Sequence, residues 1–141
     1  MKVLDASMAL AWLFPRQNPA EAALAEQALD ELDTEDFVVP VIWYGELANA
    51  ILRGERKGMV SLSQTAAFLA ELDSAEIETD ADSPRQRQSV VLALARAHRL
   101  TAYDATYLEL ALRKGVPLAT FDTQLADAAR TAGVRVFGDA A

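Results

Sequence analysis

Four acidic residues are spaced along the chain so that one edge of an α/β sheet would bring them together: Asp5, Glu46, Asp104 and Asp122. Asp5 and Asp122 follow short apolar runs that are typical of buried strands, and Asp104 opens a predicted helix. Because the carboxyl ends of parallel strands share one edge of a sheet, where α/β proteins bind ligands, we expect these carboxylates to form one site.

The chemistry of such a site follows from the type of ligand. Carboxylate oxygens alone suit Mg²⁺ or Mn²⁺. Such an ion can bridge carboxylate and phosphate oxygens, neutralise charge in the transition state and lower the pKa of a bound water, so the predicted reaction is hydrolysis of a phosphodiester. Four clustered carboxylates also repel one another when no metal is bound, so at least one is expected to have a raised pKa.

Each acid also has an ordinary structural interpretation. Aspartate is a good N-cap, so capping alone could explain Asp5, Asp104 or Asp122. Serine, threonine and asparagine cap about as well, yet all three positions hold Asp, which favours a shared site. Glu46 lies on the flank of a predicted helix and could equally be a solvated side chain. A metal role for Glu46 requires its helix to lean over the edge of the sheet.

Other polar residues near the acids are candidates for supporting roles. Ser7 and Thr120 each lie two residues from one of the aspartates, and either hydroxyl could orient a carboxylate or a metal-bound water. The alternative is ordinary bonding in a turn or at a helix start. Asn49, three residues after Glu46, is assigned the same supporting role.

Three basic residues, Arg53, Arg56 and Lys57, end the helix that carries Glu46. They are predicted to hold phosphates that flank the scissile phosphodiester. The alternative is that cations simply favour the C-terminus of a helix.

Composition narrows the classes of function. A chain of 141 residues, 52% hydrophobic, predicts one domain over 1–141 with a substantial core. Cysteine is absent and His98 is the one histidine, which excludes disulfides, a thiolate zinc site, a cysteine nucleophile and chemistry based on two histidines. No apolar run approaches the ~18 residues of a membrane span, and no signal peptide is recognisable. We therefore expect a cytoplasmic protein with no membrane partner.

The formal net charge of −8 argues at first against a nucleic-acid partner. The acids are unevenly distributed, however. Segment 30–36 holds five acids and no base, and segment 71–82 holds six acids and no base. Among the remaining residues, bases outnumber acids. A bound cation would also remove the repulsion between an acidic site and RNA. The acidic runs can also be read simply as solubilising loops.

The predicted strands and helices alternate along the chain. The strands are expected at 2–5, 37–39, 76–78, 116–119 and 134–137, and the helices at 6–14, 20–32, 42–56, from Ser61 or Ser63 to about 72, 84–100, 104–114 and 122–132. This alternation favours an α/β fold with a mostly parallel sheet and helices on both faces.

An ordered set of motifs resembles the PIN-domain nucleases, and most of all the VapC-type toxins of prokaryotic toxin–antitoxin pairs. The motifs are Val3-Leu-Asp5-Ala-Ser7, Pro40 followed by Glu46-x-x-Asn49, Tyr103-Asp104-Ala-x-Tyr107-x-x-x-Ala111, and Leu118-Ala-Thr120-x-Asp122. The resemblance covers nearly the whole chain, and its strength lies in the order of the motifs rather than in any one of them.

The resemblance implies a five-stranded parallel sheet in the order 3-2-1-4-5. It maps the metal-binding acids onto Asp5, Glu46, Asp104 and Asp122, the small hydroxyl residue onto Ser7, and a supporting position onto Thr120. It further implies a Mg²⁺- or Mn²⁺-dependent endoribonuclease, a homodimer, and inhibition by a cognate VapB-type antitoxin.

The antitoxin is expected to lay a helix on an apolar face of the toxin. The predicted face comprises Ala9, Trp12 and Leu13 with parts of the helix that carries Leu47 and Ile51. The alternative is that these residues belong to the chain's own core.

Three other functions compete with this interpretation. An aspartate-nucleophile phosphatase would need a second Asp two residues after Asp5, where Ser7 stands. A phosphate-accepting receiver module would need a lysine after a late strand, whereas Lys114 precedes its strand. A PIN-like interaction module that binds metal but does no chemistry remains an open alternative.

Overall fold

Strands and helices alternate in the computed structural model, which describes residues 1–82 and 84–140. The strands are β1 (Lys2–Leu4), β2 (Phe37–Val39), β3 (Ile77–Thr79) and β4 (Leu118–Ala119). The helices are α1 (Ala6–Leu10), α2 (Pro19–Asp30), α3 (Ile42–Arg56), α4 (Leu62–Ser74), α5 (Pro84–His98), α6 (Ala102–Lys114) and α7 (Thr123–Thr131). Within these ranges no helix combines the length and apolar character that crossing a bilayer requires.

The sheet is parallel throughout, in the order β3-β2-β1-β4. Val3 of the central strand β1 pairs with Val38 of β2 on one side and with Leu118 of β4 on the other. All three side chains are fully buried, as expected for a parallel sheet covered by helices on both faces. The predicted α/β class and the order of these four strands are confirmed.

The predicted fifth strand is wrong, because the described residues form a sheet of four strands. Segment 134–137 lies beyond β4, where a fifth strand would lie, but it makes a single parallel bridge between Leu118 and Val136. Two glycines with positive φ, Gly133 and Gly138, bend the chain on either side of this segment. With β4 only two residues long, too little extended backbone remains to form a ladder.

Helix boundaries also differ from the predictions. α1 ends at Leu10, and the four residues before Pro15 form turns rather than helix. α5 ends at His98, because Arg99 adopts the left-handed conformation with a φ of 54°. α6 begins two residues before Asp104, because Thr101 is its N-cap.

A close contact sets α3 against the start of the chain. A Cβ atom added to Gly54 would lie 2.5 Å from the ring of Phe14, so only glycine allows this approach. The contact brings α3 close to the segment that follows α1. Glu46, earlier on α3, lies at the same edge of the sheet as Asp5, as a metal-site role requires.

An ion-pair network anchors α6 on its opposite side. Arg113 binds Asp80 through two nitrogens, at 2.6 and 3.2 Å, and binds Glu109 at 2.8 Å. Arg87 of α5 binds Asp82 at 2.7 Å. The network joins α5 and α6 to the segment after β3, and so fixes the helix that begins at the candidate site.

Candidate active site

One open cleft of about 710 Å³ brings the four predicted acids together. It lies at the edge of the sheet where β1 and β4 end. The starts of α6 and α7 and one side of α3 complete its lining. Its polar lining residues are Asp5, Ser7, Glu46, Asn49, Arg53, Tyr103, Asp104 and Asp122. The other predicted site residues lie elsewhere: Thr120 is buried behind the lining, and Arg56 and Lys57 are exposed at the end of α3.

Asp5 is held from behind by two hydroxyl groups. Ser7 Oγ and Thr120 Oγ1 each donate to Asp5 Oδ2, at 2.6 Å. The Asp5 side chain is only 5% exposed and makes no capping hydrogen bond, so the capping interpretation does not account for this residue. The contacts engage one carboxylate oxygen, Oδ2, and leave Oδ1 outside these hydroxyl bonds.

The two hydroxyls are themselves fixed by the turn that follows β4. The backbone N–H of Phe121 donates to Ser7 Oγ, and that of Asp122 donates to Thr120 Oγ1, both at 2.9 Å. Each hydroxyl therefore accepts one bond from the backbone and donates one to Asp5. The supporting roles predicted for Ser7 and Thr120 have a matching geometry.

Asp122 does cap a helix. Its Oδ1 accepts a hydrogen bond from the backbone N–H of Leu125 at 2.8 Å, at the start of α7. The carboxylate nevertheless lines the cleft, so capping takes up one oxygen and does not exclude a second role.

Asp104 is not an N-cap, contrary to that interpretation. The cap of α6 is Thr101, whose Oγ1 accepts from the backbone N–H of Asp104 at 3.1 Å. Asp104 lies in the first turn, where the N-terminus of the helix favours a negative charge. Its side chain is half-buried and lines the cleft.

Glu46 has a partner that the sequence interpretation did not identify. The hydroxyl of Tyr107, on α6, donates to Glu46 Oε1 at 2.6 Å. Tyr107 is fully buried. The available signal was its position three residues after Asp104, which places both on one face of a helix, together with the need of a buried phenol for a hydrogen-bond partner.

Burial is the largest cause of the raised pKa values of Asp5, Glu46 and Asp104. Repulsion among the acids adds to it: Asp122 and Asp5 help to raise the pKa of Asp104 to about 6. Hydroxyl groups oppose the shift, from Ser7 and Thr120 at Asp5 and from Tyr107 at Glu46. The predicted raised pKa is confirmed, although burial contributes more than the predicted repulsion.

The four acids line one cleft, but their carboxylates do not converge on a single point. Among residues 1–82 and 84–140, no three acidic or histidine side chains are already gathered closely enough to enclose a metal ion. Mutual repulsion separates like charges, and three of the acids have one oxygen engaged by a protein donor. The donor set consists of oxygen atoms only, which is the chemistry that Mg²⁺ and Mn²⁺ require.

Comparisons with known proteins agree on one family and one fold. The family model for the PIN domain matches residues 2–131. In sequence the chain is similar to Ribonuclease VapC3 of Pyrobaculum aerophilum, with 31% identity over 125 residues, which cover 89% of this chain and 92% of the relative.

Two crystal structures have a similar fold. PAE2754 from Pyrobaculum aerophilum superposes with a TM-score of 0.67 and 23% identity, covering 90% of this chain and 83% of the other. FitAcB from Neisseria gonorrhoeae superposes with a TM-score of 0.64 and 20% identity, covering 98% and 97%. At these identities the likeness concerns the fold alone.

Proposed function

Because the chain belongs to the PIN-domain family, we propose that it is a Mg²⁺- or Mn²⁺-dependent endoribonuclease and the toxin of a type II toxin–antitoxin system. The observation that carries the proposal is the single cleft lined by four carboxylates, from Asp5, Glu46, Asp104 and Asp122. The similarity to a ribonuclease, over 92% of that protein's length, supports RNA as the substrate. In this proposal residues 1–141 act as one nuclease domain in the cytoplasm.

The four carboxylates would hold the metal through the oxygens that protein donors leave free. A bound divalent ion would supply positive charge beside the scissile phosphate and would lower the pKa of a coordinated water. Mg²⁺ keeps several waters when it binds protein, so the carboxylates do not all need to touch it directly. This accounts for a site whose acids line one cleft but stand apart.

The surrounding residues position the carboxylates and the RNA. Ser7 and Thr120 fix the rotamer of Asp5 from the sheet side. Arg53 lines the same cleft from α3 and would bind a phosphate next to the scissile bond. Asn49, one turn earlier on α3, can donate its amide to RNA or to a ligand water. Arg56 and Lys57 lie beyond the cleft and would bind more distant phosphates.

The antitoxin-binding face is better placed between α3 and α4 than on the face expected from the sequence. Ala9 is fully buried, Leu13 packs against the core, and Trp12 donates its indole N–H to the carbonyl of Ala25. Leu47 and Ile51, which belonged to the expected face, are mostly buried but line an apolar groove of about 510 Å³ between α3 and α4. Its most exposed apolar residues are Tyr44, Leu52 and Leu69. A helix of a VapB-type antitoxin would fit this groove.

A homodimer is the proposed state of the free toxin. α5 has no fully buried residue within the described chain, and it exposes Val90 and Leu92 at 45% and 40%. These apolar side chains support a second copy as the partner of α5. Light scattering of the purified chain measures the mass directly.

The test of the function is cleavage of a labelled single-stranded RNA by the purified chain. We expect cleavage with Mg²⁺ or Mn²⁺, none in EDTA, and little with Ca²⁺, whose looser geometry positions water poorly. Asp5→Asn should lose cleavage while it stays folded. The matched control is Asp127→Asn on the exposed surface of α7, which should cleave as the wild type does.

The same experiment separates the two open functions. Cleavage that persists in EDTA, or in Asp5→Asn, would rule out the metal mechanism. Binding of Mg²⁺ without cleavage of any RNA would favour the interaction module that keeps the site but does no chemistry.

A further inference from the structure

Tyr107 is the least accessible polar side chain in contact with the proposed metal site. It is 0% exposed and lies on α6, one turn after Asp104. Its hydroxyl donates to Glu46 Oε1 at 2.6 Å and so joins α6 to α3.

This hydrogen bond determines how Glu46 can present its carboxylate. Glu46 is half-buried and has three rotatable side-chain bonds, so without a partner its two oxygens would exchange freely. The Tyr107 hydroxyl holds Oε1 and leaves Oε2 as the oxygen that no side-chain donor engages. Asp5 and Asp122 show the same pattern, with one oxygen engaged by the protein. The cleft therefore offers single oxygens rather than open carboxylate pairs.

We propose that Tyr107 is a positioning residue that restricts Glu46 to binding metal through one oxygen, and that it thereby favours Mg²⁺ and Mn²⁺ over Ca²⁺. The inference rests on the proposed metal-dependent function. In this proposal a buried tyrosine, which is not one of the four acids, determines which divalent cation the site binds more tightly.

The physical basis is the difference in coordination between the cations. Mg²⁺ demands a near-ideal octahedron with ligands at about 2.0–2.1 Å, whereas Ca²⁺ accepts 6–8 ligands at about 2.3–2.6 Å and often binds both oxygens of a carboxylate. Two-oxygen binding by Glu46 competes with the hydrogen bond from Tyr107. Loss of the hydroxyl removes that competition and also frees the side chain to rotate. Mg²⁺ then loses a fixed ligand, while Ca²⁺ gains access to a second oxygen.

The experiment measures the affinity for each cation by calorimetry, without RNA, for the wild type and for Tyr107→Phe. Phenylalanine keeps the buried ring and removes only the donor. We expect Mg²⁺ binding to weaken about tenfold, the usual size for loss of a group that orients a metal ligand, with Ca²⁺ binding unchanged or tighter. The matched control is Thr106→Val, next to Tyr107 on the same helix but outside the cleft lining, which removes a hydroxyl that donates only to the backbone carbonyl of Ala102 and should change neither affinity.

The affinities test two separate proposals, the role of Tyr107 and the metal site itself. A proportionate loss of Mg²⁺ and Ca²⁺ binding, or no loss of either, would overturn the inference and leave Tyr107 a packing residue. A wild type that binds no Mg²⁺ would overturn the proposed metal site instead. If Tyr107→Phe does not fold, the wild type still tests the inference, because a Glu46 restricted to one oxygen should bind Mg²⁺ more tightly than Ca²⁺. A wild type that binds Ca²⁺ as tightly as Mg²⁺, or more tightly, would overturn the inference.

Discussion

Thr120 and Asp5, 115 residues apart, are joined at the edge of the sheet by a hydrogen bond of 2.6 Å from Thr120 Oγ1 to Asp5 Oδ2. The register of the sheet produces this contact. Leu4 pairs with Ala119, so the next residue on each strand emerges at the same place. Both side chains are 5% exposed. Burial disfavours the charged form of a carboxylate and raises the pKa of Asp5, and the hydroxyl donor that the strand pairing supplies opposes that rise.

Thr120→Val should therefore destabilise the protein and weaken metal binding. The variant keeps the shape of the side chain but removes a donor to a buried carboxylate and an acceptor for the N–H of Asp122. We expect a loss of about 2 kcal/mol in the free energy of unfolding at neutral pH, measured with urea. The deficit should shrink in acid, because a protonated Asp5 no longer needs the donor.

The control for this prediction is Thr131→Val. Thr131 is exposed on α7, and its hydroxyl only donates to the backbone carbonyl of Asp127. We expect a change within about 0.5 kcal/mol. Equal effects at the two positions would mean that the Thr120 hydroxyl is of no special importance to Asp5.

Sequence patterns predict the strand ends well and the contacts between distant elements poorly. Asp5 and Asp122 can be placed at one edge because apolar runs indicate parallel strands, whose carboxyl ends coincide. Asp104 lies in the predicted cleft, but in the first turn of α6 rather than at its start, since Thr101, three residues earlier, is the cap. The bond between Tyr107 and Glu46 spans 61 residues and depends on how α3 packs against α6, which no local pattern specifies.

The missing fifth strand has a similar explanation. The sequence at 134–137 has the apolar character of a strand, and the segment does lie beyond β4 as predicted. Whether such a segment forms a ladder depends on its partner, and β4 is only two residues long. Hydrophobicity indicates burial at this position but does not determine the extent of pairing.

Arg113→Met should lower stability by about 2 kcal/mol. Arg113 is the centre of the network that anchors α6, and its removal leaves the mostly buried carboxylates of Asp80 and Glu109 without their main partner. Arg130→Met is the control, because that guanidinium is fully exposed and should matter little. Thermal melts of both variants measure the difference, and similar melting temperatures would contradict a structural role for the network.

The contribution of this network should disappear in acid. Burial alone would raise the pKa of Asp80, but the hydrogen bonds from Arg113 and the backbone of Asp82, with the charge of Arg113, outweigh it and hold the pKa below 3.8. A depressed pKa adds stability above the unfolded value, and that stability is lost as the pH falls through the folded value. The gap between wild type and Arg113→Met should therefore narrow below about pH 4.

Arg53→Ala should weaken RNA binding and flatten its dependence on salt. Arg53 lines the cleft, whereas Arg56 is exposed outside it at the end of the same helix. Removal of one cation that binds a phosphate of single-stranded RNA should reduce the slope of log K against log[salt] by about 0.7. Binding is measured in the Asp5→Asn background to prevent cleavage, with Arg130→Ala as the control, because that guanidinium lies on α7 outside the cleft and is paired with Asp139. Equal slopes for the two variants would leave Arg53 only a helix-terminus role.

Asp104→Asn should remove nuclease activity yet raise the melting temperature in EDTA. Burial, with the charges of Asp122 and Asp5, raises the pKa of Asp104 from 3.8 to about 6, so its charged form is unfavourable in the folded state. The shift is equivalent to roughly 3 kcal/mol, which solvent screening of this half-buried group reduces to about 1–2 kcal/mol. Loss of a favourable charge in the first turn of α6 subtracts about 0.5 kcal/mol. A net rise of about 3 °C is expected.

The stability that Asp104→Asn gains over the wild type should increase with pH. A carboxyl whose folded pKa exceeds its unfolded pKa binds its proton more tightly in the native state, so stability falls as the pH rises between the two values. For Asp104 that window runs from 3.8 to about 6. The advantage of Asp104→Asn over the wild type should therefore be absent near pH 3.8, grow through the window and level off above pH 6.

Addition of Mg²⁺ should make the wild type melt at a higher temperature than Asp104→Asn, the reverse of their order in EDTA. Metal binds only the folded site, so it raises the melting temperature of the wild type in proportion to its affinity. The variant has lost one ligand and should respond much less. An ordinary surface role for Asp104 makes the opposite forecast, because loss of a favourable charge near a helix start would give an equal or lower melting temperature in EDTA and no difference in metal response. Thermal melts of both proteins at pH 5 and pH 7, each with EDTA and with Mg²⁺, decide between these outcomes.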